Sequence, residues 1–118
     1  MPQNKSRYAV IDLEAGMPLV EHALKRMHFQ LDTHRKVGVT VVKLIHGYGS
    51  SGTGGKIRAA VRKELVSMKA TGKIRDYVIG EEFSIFSPVT RSILVACNEV
   101  RADRDLEHHN NGITVVWL

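Results

Sequence analysis

Residues 39–61 read VTVVKLIHGYGSSGTGGKIRAAV, and this stretch decides the fold. Its first seven residues are almost all β-branched or aliphatic, which predicts a buried strand. The next segment, 46–55, holds five of the ten glycines of the chain. Residues with helical periodicity, several of them basic, begin at Lys56. The order of strand, glycine-rich loop and basic helix predicts an α/β unit whose loop backbone approaches a ligand closely, because glycine has no Cβ to keep the ligand away.

The size and composition of the chain limit the class of protein. We expect one domain over residues 1–118, which is long enough to bury a core without disulfides. A single cysteine excludes an intramolecular disulfide and a four-cysteine zinc site. The sequence has no run of eighteen apolar residues, and residues 1–10 lack the apolar core that is typical of a signal peptide, so we expect a cytoplasmic protein that does not enter a membrane.

The charge of the chain is distributed unevenly. The formal net charge is +5 at pH 7. Residues 1–75 carry 14 Lys and Arg against 5 Asp and Glu, whereas residues 76–118 carry 3 against 7. The basic part favours a polyanionic partner such as nucleic acid, although the charge asymmetry by itself is only modest evidence for one.

Hydrophobic patterns predict the order strand, helix, strand, helix, strand, insert, strand. The helices are expected from Pro18 to before Gly38, from Lys56 to Ala70, and over about 88–97, where Ser87-Pro88 is typical of a helix start. Residues 98–109 are charged and weakly patterned, which predicts a surface connection. The strands are expected at 8–13, 39–45, 74–79 and 113–118.

This alternation predicts a mostly parallel or mixed sheet with helices packed on it. If the first two strands are parallel, their carboxyl ends share one edge of the sheet, where open α/β folds bind ligands. Asp12, Glu14 and His46 would then lie at that edge, together with the glycine-rich loop. The loop amides and the start of the following helix would form a cradle for an anion, next to Lys56 and Arg58.

Several of these features together resemble the Smr domain, the small MutS-related module. The resemblance covers about residues 8–79 and resumes in the last strand, 113–118. HGYG at 46–49 matches the HGxG motif of the family in full. The other family signature, L-D-x-H at the end of the first strand, is half present, because the chain reads IDLE at 11–14. A second departure is the insert at about 81–112, where a short connection is expected.

The resemblance implies a two-layer α/β sandwich with a mixed, mostly parallel four-stranded sheet, similar to the carboxyl-terminal domain of translation initiation factor three. It also implies binding of DNA or RNA, often accompanied by nicking endonuclease activity. The catalytic residues carried over to this chain are Asp12, Glu14 and His46. The nucleic-acid-binding residues would come from the glycine-rich loop and the basic helix: Gly47, Tyr48, Gly49, Gly52, Gly54, Gly55, Lys56, Arg58 and Arg62.

Glu14, in place of the family's histidine, brings a second carboxylate to the proposed phosphate site. Two hypotheses follow. Asp12, Glu14 and His46 hold a divalent cation, Mg or Mn, that neutralises the carboxylates and activates water, or the domain binds without hydrolysis. Each residue also has a structural interpretation, in which Asp12 accepts loop amides, Glu14 is solvated and His46 holds the turn through a backbone carbonyl.

Two other functions fit the same features. In the first, the loop holds the phosphate of a small ligand such as a nucleotide or a sugar phosphate. In the second, the chain is a protein-interaction module that uses the helix of the insert. Salt separates the first of these from nucleic-acid binding, because affinity that depends on several Lys and Arg contacts with a polyanion falls steeply as ionic strength rises.

Overall fold

A computed structural model describes residues 7–48 and 54–118. Within the described residues the strands are β1 (Tyr8–Asp12), β2 (Val41–Ile45), β3 (Asp76–Ile79) and β4 (Ile113–Trp117), and the α-helices are α1 (Val20–Lys36), α2 (Gly54–Ala70) and α3 (Pro88–Ala96).

Two of these elements begin at other residues than predicted. Helix α2 begins at Gly54, two residues before its predicted start, because the first amides of a helix need no intrahelical partner and tolerate glycine there. Strand β3 begins at Asp76, two residues later than predicted.

The four strands form one sheet in the order β1-β2-β4-β3. Strands β1 and β2 are parallel, whereas β4 runs antiparallel to both of its neighbours. Three strands therefore share a direction and the fourth opposes them, which confirms the predicted mixed sheet. The carboxyl ends of β1 and β2 meet the amino end of β4, since Asp12 pairs with Ile45 and Ile45 with Ile113. We call this place the site edge.

Helices α1 and α2 pack on one face of the sheet and form with it the two layers of the predicted α/β sandwich, to which the insert adds a cover on the other face. Each helix turns an apolar stripe towards the sheet, because residues three and four apart lie on one side of a helix. None of the described helices is both long and apolar enough to cross a membrane. The buried stripe residues are Ala23, Met27 and Leu31 on α1, and Ile57, Val61, Leu65 and Met68 on α2.

Residues 80–112 cover the other face of the sheet with a second apolar core. Helix α3 lies where Ser87-Pro88 predicted a helix, and the Ser87 side chain accepts a hydrogen bond from the Thr90 amide at 3.3 Å. Two short 3-10 turns flank this helix, at Gly80–Glu82 and Asn98–Ala102. The second core joins residues of the insert to the sheet, among them Phe83, Ile93, Leu94, Val100, Val41, Val78 and Val115.

The prediction that residues 98–109 form a solvated connection is wrong for Asp103 and Asp105. Lys43 faces the insert from β2, and its Nζ lies 2.9 Å from Asp103 Oδ2 and 2.8 Å from Asp105 Oδ2. Tyr8 Oη donates to Asp103 Oδ2 at 2.6 Å. A buried ammonium needs anionic partners, and in this protein the insert supplies both of them. Burial disfavours the charged lysine, but the hydrogen bonds to both carboxylates outweigh it and raise the pKa of Lys43.

Candidate functional site

Backbone hydrogen bonds between three strand ends close the site edge. The Leu13 amide donates to the Ile45 carbonyl at 2.8 Å and so joins the end of β1 to β2. The amides of His46 and Gly47 both donate to the Gly112 carbonyl, each at 3.0 Å. These two amides are therefore satisfied within the protein. The rest of the predicted amide cradle, at 49–53, lies outside the described residues, and with it the predicted binding residues Gly49 and Gly52.

His46 is fully buried at the site edge, and both of its ring nitrogens have partners. Nδ1 lies 2.8 Å from the Gly47 carbonyl, and since a carbonyl only accepts, Nδ1 carries the proton. Nε2 lies 2.9 Å from Thr114 Oγ1 and accepts from that hydroxyl. Thr114 Oγ1 in turn accepts from Arg62 Nε at 3.3 Å. This geometry agrees with the structural interpretation of His46, in which the ring holds the turn after β2.

The His46 ring is neutral near pH 7. Burial lowers its pKa from the ordinary 6.5 to about 4, because the charged ring would lose its hydration. The nearby positive charges of Arg62 and Arg58 lower the pKa further, while the hydrogen bond to the Gly47 carbonyl opposes them. A neutral ring at 0% exposure gives a phosphate no positive charge.

The depressed pKa of His46 makes stability depend on pH. Below pH 6.5 the unfolded chain binds a proton at His46 that the folded chain binds only near pH 4, so stability is lost as pH falls. We expect this group to lower the free energy of unfolding by about 2 kcal/mol between pH 7 and pH 5. Urea unfolding at both pH values, followed by circular dichroism, measures the change. His46→Gln, which does not titrate, should show a loss smaller by that amount, and equal losses in the two proteins would contradict the assignment.

The two carboxylates of the site edge have different surroundings. Asp12 is exposed, and its Oδ1 accepts the Glu14 amide at 2.8 Å, as in an Asx turn. Glu14 lies beyond the end of β1 and is half-buried against Gly47. A Cβ at position 47 would displace the Glu14 carboxylate, and Gly47 has φ +75°, a backbone conformation that favours glycine there.

Three basic residues of α2 lie beside the site edge, and only one of them has an ion-pair partner among the described residues. Lys56, in the first turn, is exposed, and Arg58, at the start of the second turn, is half-buried; the first turn holds no acidic residue. Neither has a hydrogen bond or an ion pair with another described residue. Arg62, one turn further, donates to both oxygens of Glu81 at 2.9 and 2.7 Å. These hydrogen bonds hold the pKa of Glu81 below its usual range, so the charge of Arg62 is already neutralised.

The catalytic and metal-binding roles of Asp12, Glu14 and His46 stay predictions. All three residues lie at the site edge, but nowhere in residues 7–48 and 54–118 is a group of three His, Cys, Asp or Glu side chains placed to hold one cation. Both His46 nitrogens are used in the hydrogen bonds to Gly47 and Thr114. In this arrangement the ring of His46 has no nitrogen left to bind a divalent ion.

Sequence reasoning missed the residues that support the site edge from β4 and the insert. Thr114 holds His46, and Gly112 receives two amides. Asn110 Oδ1 accepts the Gly112 amide at 2.8 Å, and Glu81 pairs with Arg62. One signal was available, because a polar threonine within the apolar run ITVVW needs a hydrogen-bond partner once the strand is buried.

Comparisons with known proteins give one structural match. No family model and no curated protein matches the sequence. Among solved structures, the chain is similar to the Smr domain of MutS2 from Thermus thermophilus, with a TM-score of 0.58 and 23% identity. The match covers 93% of this chain and 96% of that one. At this identity the likeness shows the fold, and it confirms the Smr-like α/β fold that the HGxG motif indicated.

Proposed function

We propose that this chain is a nucleic-acid-binding Smr-like domain whose phosphate contacts come from the site edge and the amino-terminal end of α2. The observation that carries the proposal is the pair Lys56 and Arg58, two cations at a helix start with no ion-pair partner among the described residues. Tyr48, 57% exposed, adds an aromatic ring next to the site edge. The resemblance at 46–49 and the Smr-like fold support the proposal, since the family resemblance implies nucleic-acid binding.

The position of Lys56 is unfavourable for the free protein. Aligned peptide dipoles give the start of a helix a partial positive charge, so a cation in the first turn costs a few tenths to about 1 kcal/mol. An acidic residue in this turn would offset the cost, and α2 has none there. A phosphate bound at the start of α2 would offset it as well and would pair with Lys56, while Arg58 is free to contact another phosphate of the same strand.

Cleavage of the bound strand is a narrower hypothesis. In it, Asp12 or Glu14 accepts a proton while Lys56 and Arg58 stabilise the charge on the phosphate. The buried, neutral ring of His46 argues for a positioning role of this residue and favours binding without hydrolysis. Incubation of nucleic acid with the protein, with and without Mg or Mn, tests cleavage, and Asp12→Asn with Glu14→Gln identifies its source.

Removing the two positive charges near the start of α2 is expected to weaken the binding of nucleic acid strongly. For Lys56→Gln with Arg58→Gln, we expect the dissociation constant for DNA or RNA to rise by about 10-fold or more. The slope of log affinity against log salt should fall by about 2, because two phosphate contacts are lost. Fluorescence anisotropy with labelled duplex and single-stranded oligonucleotides over a series of salt concentrations measures both quantities.

The matched control removes two positive charges from the opposite face of the molecule. Arg101 and Arg104 are exposed on the insert, and Arg101→Gln with Arg104→Gln should leave the salt slope unchanged. Equal losses in the two double variants would mean that only net charge matters and would overturn the proposed surface. A weak response to salt would instead favour a small phosphorylated ligand, and no binding to either nucleic acid would favour the protein-interaction module.

A further inference from the structure

The segment between β1 and α1 exposes apolar side chains beside Lys56. Met17 is 80% exposed and Leu19 is 63% exposed. Leu19 lies in a surface depression between the starts of α1 and α2, which we call the apolar groove. The apolar groove is lined by Pro18, Leu19, Val20, Glu21, Leu24 and Lys56.

The residues of this segment are poor choices for the stability of the fold. Met17 has φ +49°, a left-handed backbone conformation that is unfavourable for most residues other than glycine and asparagine. Leu19 is the N-cap of α1 and forms no side-chain cap, whereas Ser, Thr, Asp or Asn would accept a helix amide there. Local strain and an exposed leucine at a capping position indicate a role other than folding.

The segment is nevertheless held in place by hydrogen bonds. The Met17 amide donates to the Glu14 carbonyl at 2.9 Å. Arg26 Nη1 donates to the Ala15 carbonyl at 2.8 Å and so ties the segment to α1. The backbone that carries the exposed apolar side chains is therefore held in place.

We propose that the apolar groove receives the base of one unpaired nucleotide whose phosphate is bound by Lys56. This inference rests on the proposed function and narrows its ligand to nucleic acid with unpaired bases. Pro18, Leu19 and Leu24 offer apolar area for the face of a base, and the ammonium of Lys56 stands at the wall of the same groove. Only an unpaired base presents its face, because in a duplex both faces are stacked.

The charges of the groove favour a nucleotide over an apolar protein side chain. Lys56 has no ion-pair partner among the described residues and matches the phosphate. The Glu21 carboxylate, which would repel a phosphate placed directly on it, can accept a hydrogen bond from an exocyclic amino group of the base. An apolar side chain from a protein partner would use neither charge.

The test compares two oligonucleotides with the same backbone charge. One is a single strand with all of its bases, and the other is the same strand with abasic sites. We expect the wild-type protein to bind the first roughly 10-fold more tightly, because only this strand has a base whose apolar face the groove can bury. In Leu19→Ser most of this preference should disappear while the affinity for the abasic strand stays unchanged. Leu19→Ala provides a second variant in which no capping hydroxyl is introduced.

The controls separate this inference from the proposed function. Val66→Ser removes an aliphatic side chain that is 56% exposed on α2. This variant should prefer the strand with all of its bases over the abasic strand as strongly as the wild type does. Lys56→Gln with Arg58→Gln should weaken the binding of both oligonucleotides. A wild-type protein without a preference, or a preference that survives in both Leu19 variants, overturns the base contact alone. Failure to bind either strand overturns the proposed function and the base contact together.

Discussion

Replacing Lys43 with methionine is expected to lower the free energy of unfolding by about 3–5 kcal/mol, because two buried carboxylates lose their cation. The side chains of Asp103 and Asp105 are only 5% and 11% exposed, and both contact Lys43 Nζ within 3 Å. Methionine matches the length of lysine, so the loss reports the missing charge rather than a cavity. Urea or guanidinium unfolding at neutral pH, followed by circular dichroism, measures the change.

An exposed ion pair provides the control for Lys43. Lys69 Nζ lies 3.0 Å from Asp76 Oδ1, but the lysine side chain is 49% exposed. We expect Lys69→Met to cost less than about 1 kcal/mol, since water screens that pair. Adding Asp103→Asn and Asp105→Asn to Lys43→Met should recover part of the lost stability. Similar costs for Lys43→Met and Lys69→Met would contradict the buried cluster.

The substitution Gly80→Ala is expected to destabilise the protein by about 3 kcal/mol or more. A Cβ at this buried position would overlap the Asn110 carbonyl oxygen and lie 2.8 Å from that of Ile113. Both obstacles are backbone atoms, so no side chain can turn away to make room. The displaced segment also carries Gly112, whose carbonyl accepts the amides of His46 and Gly47, so binding of nucleic acid should weaken as well. Thermal and denaturant unfolding measure the first effect, and anisotropy the second.

A substitution at a second glycine, Gly72, distinguishes the steric overlap expected at Gly80 from the cost of a strained backbone. Gly72 has φ +78°, and a Cβ there would meet no atom within 4 Å. We therefore expect Gly72→Ala to cost about 1 kcal/mol, the cost of a left-handed conformation alone. If Gly80→Ala cost no more than Gly72→Ala, the close approach of the insert to Gly80 would be wrong.

Hydrophobic periodicity was sufficient to predict the strands and the helices. The helix expected from Lys56 to Ala70 is present and buries its apolar stripe at Ile57, Val61, Leu65 and Met68, and the apolar run after Val39 forms a central strand. These patterns are local, because the side chains of one helix or strand face the core at a fixed spacing along the chain. The resemblance at 46–49 added the Smr-like fold, which the structural match confirms.

The sequence was less informative about the insert. Charged residues at 98–109 suggested a solvated connection, yet Asp103 and Asp105 lie in the interior because Lys43 is there. A signal for this arrangement was present in the strand itself, since a lysine in the buried run VTVVKLI requires an anionic partner. Periodicity shows that such a partner is needed, but not which of twelve acidic residues supplies it.

The sequence by itself determined the elements, the faces that they bury and the edge of the sheet where polar residues collect. Only the tertiary structure decided what those residues do. His46 contacts Thr114, 68 positions away, and Arg62 pairs with Glu81, so both are committed to partners within the protein. Lys56 and Arg58 have no such partner among the described residues. The physical reason is that burial follows from a repeating local pattern, whereas hydrogen bonds and ion pairs depend on which distant atoms folding brings within about 3 Å of each other.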